Sequence, residues 1–514
     1  MSRPLRLFGL LVVAMALLPI ESAAADPYKV TSTANDGGGT LRQAILDANS
    51  HPGADTIPIE VMGTINLQSA LQIIFDPVSI VGPGADQLEV RGAGAAGFTI
   101  LAFSTDADPS SLTGLTVSNG QAALGGGIRN VEGSLTLTRV VVRGNEAVAE
   151  GGTDAVVEGG GVFSEGPLTL RESVVAGNTA RASNGTSRTE AVGGGVAALS
   201  ALTVERSTIS GNLAEATGGG GLARARGGGL LTPELTAIEL STISGNSANA
   251  EGGGTLTRAE GGGVDAYEGG LTSSTVTGNS ATSSGEAFGA NLDSFFTTVV
   301  RDTIVSDPGG DADSCNGEIA SGGFNLDEDG SCEFGQGTDQ DSVMAGLGPL
   351  APYGGPTPTH PLSPNSPALD RGSAFGSGLD QRGLPRPFDF TSISNAEGGD
   401  GSDIGAFELQ PPPAAGPALV SALPADRTPP NTRIVSGPSR LGYKHLAKFR
   451  FASTEPQSTF QCKLDRKAWR GCANPVRRVV KSGKHLFWVR AIDRFGNVDP
   501  TPARFGWRVK PIAG

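Results

Sequence analysis

From Gly125 onward, apolar and polar residues alternate in twos within short segments, as in Leu135-Thr136-Leu137, Leu168-Thr169-Leu170 and Leu202-Thr203-Val204. A period of two belongs to a strand with one face buried. Two glycine markers run in step with these segments. A Gly-Gly-Gly triplet starts at Gly125, Gly159, Gly193, Gly227 and Gly261, four successive spacings of 34 residues. A Gly-Asn pair recurs at Gly144-Asn145, Gly177-Asn178, Gly211-Asn212, Gly245-Asn246 and Gly278-Asn279, spaced by 33, 34, 34 and 33. Glycine at fixed points marks bends that need positive φ or close backbone approach. Each repeat predicts one coil of a solenoid with about three short strands and an Ala/Gly/Glu-rich loop, for example Ala147 to Glu158. Helical repeats of this length are excluded, because three consecutive glycines and no 3.6-residue period would ruin both helices. A β-propeller blade needs about 40 residues and four strands.

Stacked coils place equivalent residues in columns, so apolar positions form a continuous core and polar ones form ladders. The repeated asparagines, Asn145, Asn178, Asn212, Asn246 and Asn279, are expected to tolerate left-handed backbone and to hydrogen-bond from coil to coil. Arg139, Glu172 and Arg206 fall in one outward column of alternating sign, as neighbouring strands favour. Both ends of such a stack need covers. Thr40-Leu41-Arg42-Gln43 reads as a capping box, and Leu41, Ala44, Ile45 and Ala48 line one face of a short helix that serves as the N-terminal lid. Less regular coils are expected from Ile57 to Asn119.

Composition places these coils outside the cytoplasm. Arg3 and Arg6, an apolar run from Leu7 to Leu18 and Ala23-Ala24-Ala25 form a signal peptide over residues 1–25. That run is shorter than the roughly 20 residues that span a bilayer. The expected order continues with an N-terminal cap over 26–56 and a right-handed parallel β-helix over 57–410. Within the β-helix, regular coils occupy about 125–281, and terminal coils with a disulfide loop occupy 282–410. A stiff Pro-rich linker over 411–430 leads to an immunoglobulin-like β-sandwich over 431–514. The four cysteines fall into two local pairs, Cys315 with Cys332 and Cys462 with Cys472, and of the three connectivities open to four cysteines this local pairing is the expected one, as suits an oxidising compartment. The expected class is all-β, secreted, extracellular or at the cell surface.

Charge divides the chain. From Thr428 onward 18 Lys and Arg face 4 Asp and Glu, a net of +14, whereas residues 1–427 hold 20 against 48, a net of −28. The basic patch to watch is Arg466, Lys467, Arg470, Arg477, Arg478, Lys481 and Lys484. It would attract a cell-wall polymer, an acidic glycan or another polyanion. No cofactor is called for. Calcium is the one metal with a candidate site, Asp311, Asp313, Asp327 and Asp329 beside Cys315 and Cys332.

Three segments resemble a known family. Val30 to Asp36, continuing into Gly39-Thr40-Leu41-Arg42-Gln43-Ala44-Ile45, is similar to the N-terminal CSLREA signature of bacterial surface β-helix proteins, with Gly-Thr for Cys-Ser and Gln43 for Glu. The Ile-Ser-Gly-Asn coils at Ile209 and Ile243 resemble those of polymorphic outer-membrane-type proteins. Ser366 to Asp370, Asp380 to Pro387 and Asp403 to Glu408 resemble the choice-of-anchor Q ending. The tail through Cys462, Cys472 and Trp507 resembles a bacterial immunoglobulin-like surface repeat. The resemblance implies a secreted or surface-attached protein and supplies no catalytic residues. The pectin lyase-like fold also hosts polysaccharide lyases and glycoside hydrolases, whose chemistry needs acids converging on one face. The residues that follow the first apolar position after each triplet, Arg129, Phe163, Ala197, Leu231 and Asp265, make no acidic column. The expectation is a non-catalytic protein of adhesion or glycan interaction. Three or more acids with an Arg or Lys within reach of one another in a cleft would overturn that expectation.

Overall fold

A computed structural model describes residues 28–93, 97–105, 109–234, 236–252, 254–411, 429–442, 446–455, 458–472, 474–492 and 497–510. The expected signal peptide and most of the expected Pro-rich linker lie outside them. The chain divides into two compact units, Met1–Pro412 and Pro413–Gly514.

The first unit is a parallel β-helix. One regular coil contains five strands: Ile128–Asn130, Leu135–Thr138, Val141–Arg143, Glu146–Glu150 and Asp154–Glu158. The expected loop from Ala147 to Glu158 is therefore a pair of strands. Its alternation escapes notice because the buried positions are alanines, which are small and poor strand formers. In-register pairing carries each strand into the next coil, as in Leu135↔Leu168 and Leu168↔Leu202. The first and second strand columns are joined by the long strand Leu292–Arg301, which serves both.

The five columns enclose two separate cores. The first three columns surround large aliphatics such as Leu137, Val142, Leu170, Val204 and Ile209. The last two surround Ala147, Ala180, Ala182, Ala214, Ala216, Ala248 and Ala250, with Val157 as the one larger apolar side chain of the cluster. Between them runs the asparagine ladder. Asn145, Asn178, Asn212, Asn246 and Asn279 are all buried. Each side-chain oxygen from Asn178 onward accepts from both the backbone N–H and the amide of the preceding Asn, at 2.9–3.0 Å. The left-handed residue at this corner is the preceding glycine, Gly177 at φ +63° for example, and not the asparagine.

The two markers keep step because they touch in space. Gly193 takes φ +61°, a Cβ on Gly194 would lie 2.4 Å from backbone atoms of Gly228 and Leu213, and one on Gly195 would lie 2.9 Å from the Asn212 amide. The triplet is the return path through the narrow neck between the cores, under the ladder.

At the N-terminal end the helix Leu41–Ala48 covers the stack, with Thr40 accepting from the Gln43 N–H and Leu41, Ala44, Ile45 and Ala48 buried. Gln43 turns its side chain to Asp47 instead of closing the capping box. Arg139, Glu172 and Arg206 do form a column, paired at 2.7 and 3.0 Å. They sit at left-handed corners, φ +53°, +50° and +45°, and not on the strands themselves.

The end of the solenoid differs from the expected terminal coil. Strands continue to Gln340–Asp341, and the chain then returns along the outside of the third column. Gln381 donates to the Ser207 carbonyl and Thr208 hydroxyl, and the Ala406 N–H donates to Thr275. The Asp403 to Glu408 motif, wholly buried, is thus the lock of a strap. Arg386 joins Asp302 and the Gly405 carbonyl beneath it.

The second unit is a two-sheet sandwich. Thr432–Ser436, Leu446–Ser453 and Val476–Val479 form one sheet. Leu441–Gly442, Ala503–Val509, Gly483–Ile492, Thr459–Leu464 and Arg470–Gly471 form the other. Phe449, Phe451, Phe487, Val489 and Trp507 fill the space between. Both expected disulfides are present, Cys315–Cys332 and Cys462–Cys472. No helix among the described residues is long and apolar enough to cross a membrane.

Candidate functional site

Where the alanine lobe meets the main body, the last residue of each fifth strand faces the middle residue of the next first strand across the triplet. One column reads Glu158, Val192, Arg226, Glu260 and Phe288. The other reads Arg129, Phe163, Ala197, Leu231, Asp265, Asp293 and Asn316. Over the middle coils this corner is apolar, with Phe163, Val192, Ala197 and Leu231 packed together. Over the last coils it becomes ionic.

There Glu260, Asp265 and Asp293 bring one oxygen each within 4.8 Å of one another, the only such group of three among the described residues. Arg226 grips Asp265 through two hydrogen bonds of 2.8 and 3.0 Å and reaches Glu260 at 3.3 Å. Arg224 also binds Glu260, at 2.8 Å. Two acids are thus buried and held by guanidinium groups. Asp293 is the half-buried one, and Asn316 donates to it at 2.6 Å. Burial, reinforced by the Asp265 charge, pushes its carboxyl up to about 7. Asp265 is also raised by burial, against the pull of Arg226.

Beside this network stand Tyr267, Phe295 and Phe296. Phe295 is 71% exposed and Phe296 54%, with ring centroids 5.2 Å apart for Tyr267 and Phe295 and 4.9 Å for the two phenylalanines. Arg226 lies 5.6 Å over the Tyr267 ring, which joins the aromatic shelf to the acids. Exposed rings, edge-on or tilted to one another, beside oriented polar groups offer a face for a sugar ring and hydrogen-bond partners for its hydroxyls.

The acidic gathering escaped the sequence reading because the next coil is shorter. Its triplet is replaced by Gly289-Ala290-Asn291, only 28 residues after Gly261. Gly289 keeps the left-handed bend at φ +54°, and Asn291 takes over the ladder. That substitution is the signal that would have aligned Asp293 under Asp265.

The calcium candidates behave differently. Asp327 accepts from the Cys332 N–H and Asp329 from the Ser314 N–H, whereas Asp311 accepts from Ser283. Each organises loop backbone. No three of Asp311, Asp313, Asp327 and Asp329 share a centre.

In the sandwich, Lys467, Arg470 and Arg478 of the basic patch come together with Lys463 around a cavity of about 550 Å³. Arg466, Arg477, Lys481 and Lys484 are exposed. Lys463 lies 4.9 and 5.1 Å over Trp469 and Trp488, and Arg490 lies 4.5 Å over Trp469.

Comparison with protein-family models, with characterised proteins and with solved structures returns no match. The class defined by fold and site is a parallel β-helix with a corner where buried, Arg-paired acids lie beside exposed phenylalanines, followed by a basic β-sandwich.

Proposed function

We propose that this is an exported protein of the cell surface or extracellular space that recognises a glycan at the aromatic corner and docks on acidic cell-wall polymers or other polyanions through its sandwich. On this reading the chain is of the CSLREA and choice-of-anchor Q type that its end segments resemble, and residues 1–25 direct its export. The observation that carries the proposal is the pair of exposed phenylalanines, Phe295 and Phe296, with half-buried Tyr267 beside Arg226, Asp265 and Asp293. The aromatic faces would stack on sugar rings, while Asp293 and Asn316 orient hydroxyls. A glycan and cell-wall binding screen of the mature chain tests it. Phe295→Ala with Phe296→Ala should lower affinity for a captured glycan at least tenfold while leaving the melting temperature within a few degrees. Unchanged affinity would refute the corner assignment.

One observation favours a second reading, cleavage of the glycan by a polysaccharide hydrolase or lyase. A carboxyl held near neutrality beside a carboxyl gripped by Arg is the division of labour that acid catalysis uses. Release of reducing ends or unsaturated products would be its signature. For hydrolysis, Asp293→Asn would abolish activity, and the rate would fall as pH rises through about 7 because Asp293 then loses the proton it donates. Binding with no product at any pH leaves recognition as the function.

A further inference from the structure

The five-stranded sheet of the sandwich turns one face to the core and the other to solvent. Phe487 and Val489 of Gly483–Ile492, Trp507 and Val509 of Ala503–Val509, and Cys462 of Thr459–Leu464 are buried, so the residues between them share the outer face. Register sets that face in rows. Arg508 stands opposite Lys484. Four residues further along, Arg504 stands opposite Trp488, and Trp488 opposite Lys463. Between these two cationic rows Gly506 stands opposite Leu486. A Cβ on Gly506 would meet nothing nearer than the Leu486 tip at 3.8 Å and the His485 carbonyl at 3.9 Å, so the space above this row is open and its floor is low and apolar.

The cations of this face are seated and unneutralised. Lys463 and Arg504 lie 5.1 and 5.8 Å over the Trp488 ring, and Lys463 and Arg490 lie 4.9 and 4.5 Å over Trp469. A cation held on an indole has already given up side-chain freedom that a solvated one must lose on binding. None of the five strands of this sheet holds an Asp or Glu. Asp465, at the rim of the Leu486 row, is engaged by His485 at 2.9 Å and by the Leu486 N–H at 2.8 Å. Among the described residues no carboxylate pairs with Lys463, Lys484, Arg490, Arg504 or Arg508. The two cationic rows lie roughly 13 Å apart along the strand, which no single inorganic anion bridges. A chain with acidic groups in succession does. Single-stranded nucleic acid would need free aromatic faces for its bases, whereas both indoles here carry cations of their own chain.

We propose that this face is the docking surface for a linear acidic polysaccharide. Its successive carboxylates meet Arg508 and Lys484 at one row and Arg504 and Lys463 at the other, and the sugar between them lies over Leu486 and Gly506. Guanidinium groups suit carboxylates because they can donate two parallel hydrogen bonds. The inference deepens the polyanion-docking part of the proposed function and rests on it, but it places the docking on this sheet and not on exposed cations elsewhere in the sandwich such as Arg477 and Lys481.

Calorimetric titration of the mature full-length chain with an oligogalacturonate, a neutral cello-oligosaccharide and a single-stranded oligothymidylate tests it. The oligogalacturonate should bind, the neutral oligomer should not, and the oligothymidylate should bind more weakly at equal salt. Lys463→Gln with Arg504→Gln removes two charges from the face and should lower affinity for the oligogalacturonate about tenfold. Arg477→Gln with Lys481→Gln removes two charges from outside it and should change affinity by less than about twofold. Trp469→Leu with Trp488→Leu keeps every charge and unseats the cations, so it should cost about fivefold. If the indole variant does not fold, the two charge variants alone decide. Full affinity in the Lys463 and Arg504 variant or in a folded indole variant, equal binding of the neutral oligomer, or tighter binding of the oligothymidylate would each overturn the proposal. Equal losses in the two charge variants would overturn it too, and would leave polyanion docking standing. Failure of every acidic glycan, short or long, would remove both.

Discussion

The two cores of the β-helix are built from the same backbone rise and the same in-register pairing, yet one is filled with Leu, Ile and Val and the other with Ala. Three columns of strands enclose a wide interior that only large side chains fill to native density. Two columns facing each other enclose a thin one, which a methyl group fills. The difference teaches that strand count around a coil, more than hydrophobicity of the sequence, sets what the core residue must be. It also explains the corner. The thin lobe stands out from the body, and the angle between them is where Arg226, Glu260, Asp265 and Asp293 meet.

The neck between the cores is where the comparison breaks most violently. Gly194→Val should prevent recovery of folded protein, because its Cβ would lie 2.4 Å from fixed backbone, and circular dichroism of purified material would register the loss. Next come opposite substitutions in the two cores. Leu202→Ala should cost about 2–5 kcal/mol through an unfilled cavity. Ala214→Leu should cost about 1–3 kcal/mol or more through overpacking of the thin lobe. Chemical denaturation measures both, and tolerance of Ala214→Leu would show that the lobe has room. Asn212→Leu should cost about 2–4 kcal/mol, since the Asn178 N–H loses its acceptor and the Val175 carbonyl its donor.

A smaller effect is expected from pH. Beneath the strap, burial raises Asp302 and Asp403 to about 7 and Glu408 to about 8, because three carboxyls share little more than the one guanidinium of Arg386. These groups hold protons in the folded chain that the unfolded chain has already released above about pH 4. Their stabilising contribution is therefore complete below the ordinary carboxylate range and is lost as pH rises through 7 to 8. The melting temperature should be a few degrees higher at pH 5.5 than at pH 8.5, and a flat profile would contradict the assignment. Least of all, Glu172→Gln at the Arg139 and Arg206 corner should change stability by about 1 kcal/mol or less, because Arg139 is largely solvated.

Much of the solenoid was legible beforehand. Gly125 to Asn279 carry a 34-residue beat, Leu135, Leu168 and Leu202 mark buried positions, and Thr40 to Ala48 mark the capping helix. The alanine strands were not legible, because alternation of Ala with polar residues looks like a loop. The candidate site was half visible. Glu260 and Arg226 each stand directly before a triplet, but Asp293 follows a disguised one, and Phe295 and Phe296 project from the bulge where Leu292–Arg301 shifts register against Cys315–Ser321.

The sequence by itself determined the coil length, the stacking register and the asparagine ladder, because these depend on contacts between residues one repeat apart. Only the tertiary structure decided that each coil has two cores, that residues 343–410 return as a strap, and that three acids converge in the corner. Those outcomes depend on how far apart facing columns sit and on where a shortened coil falls, which are distances that no local pattern encodes.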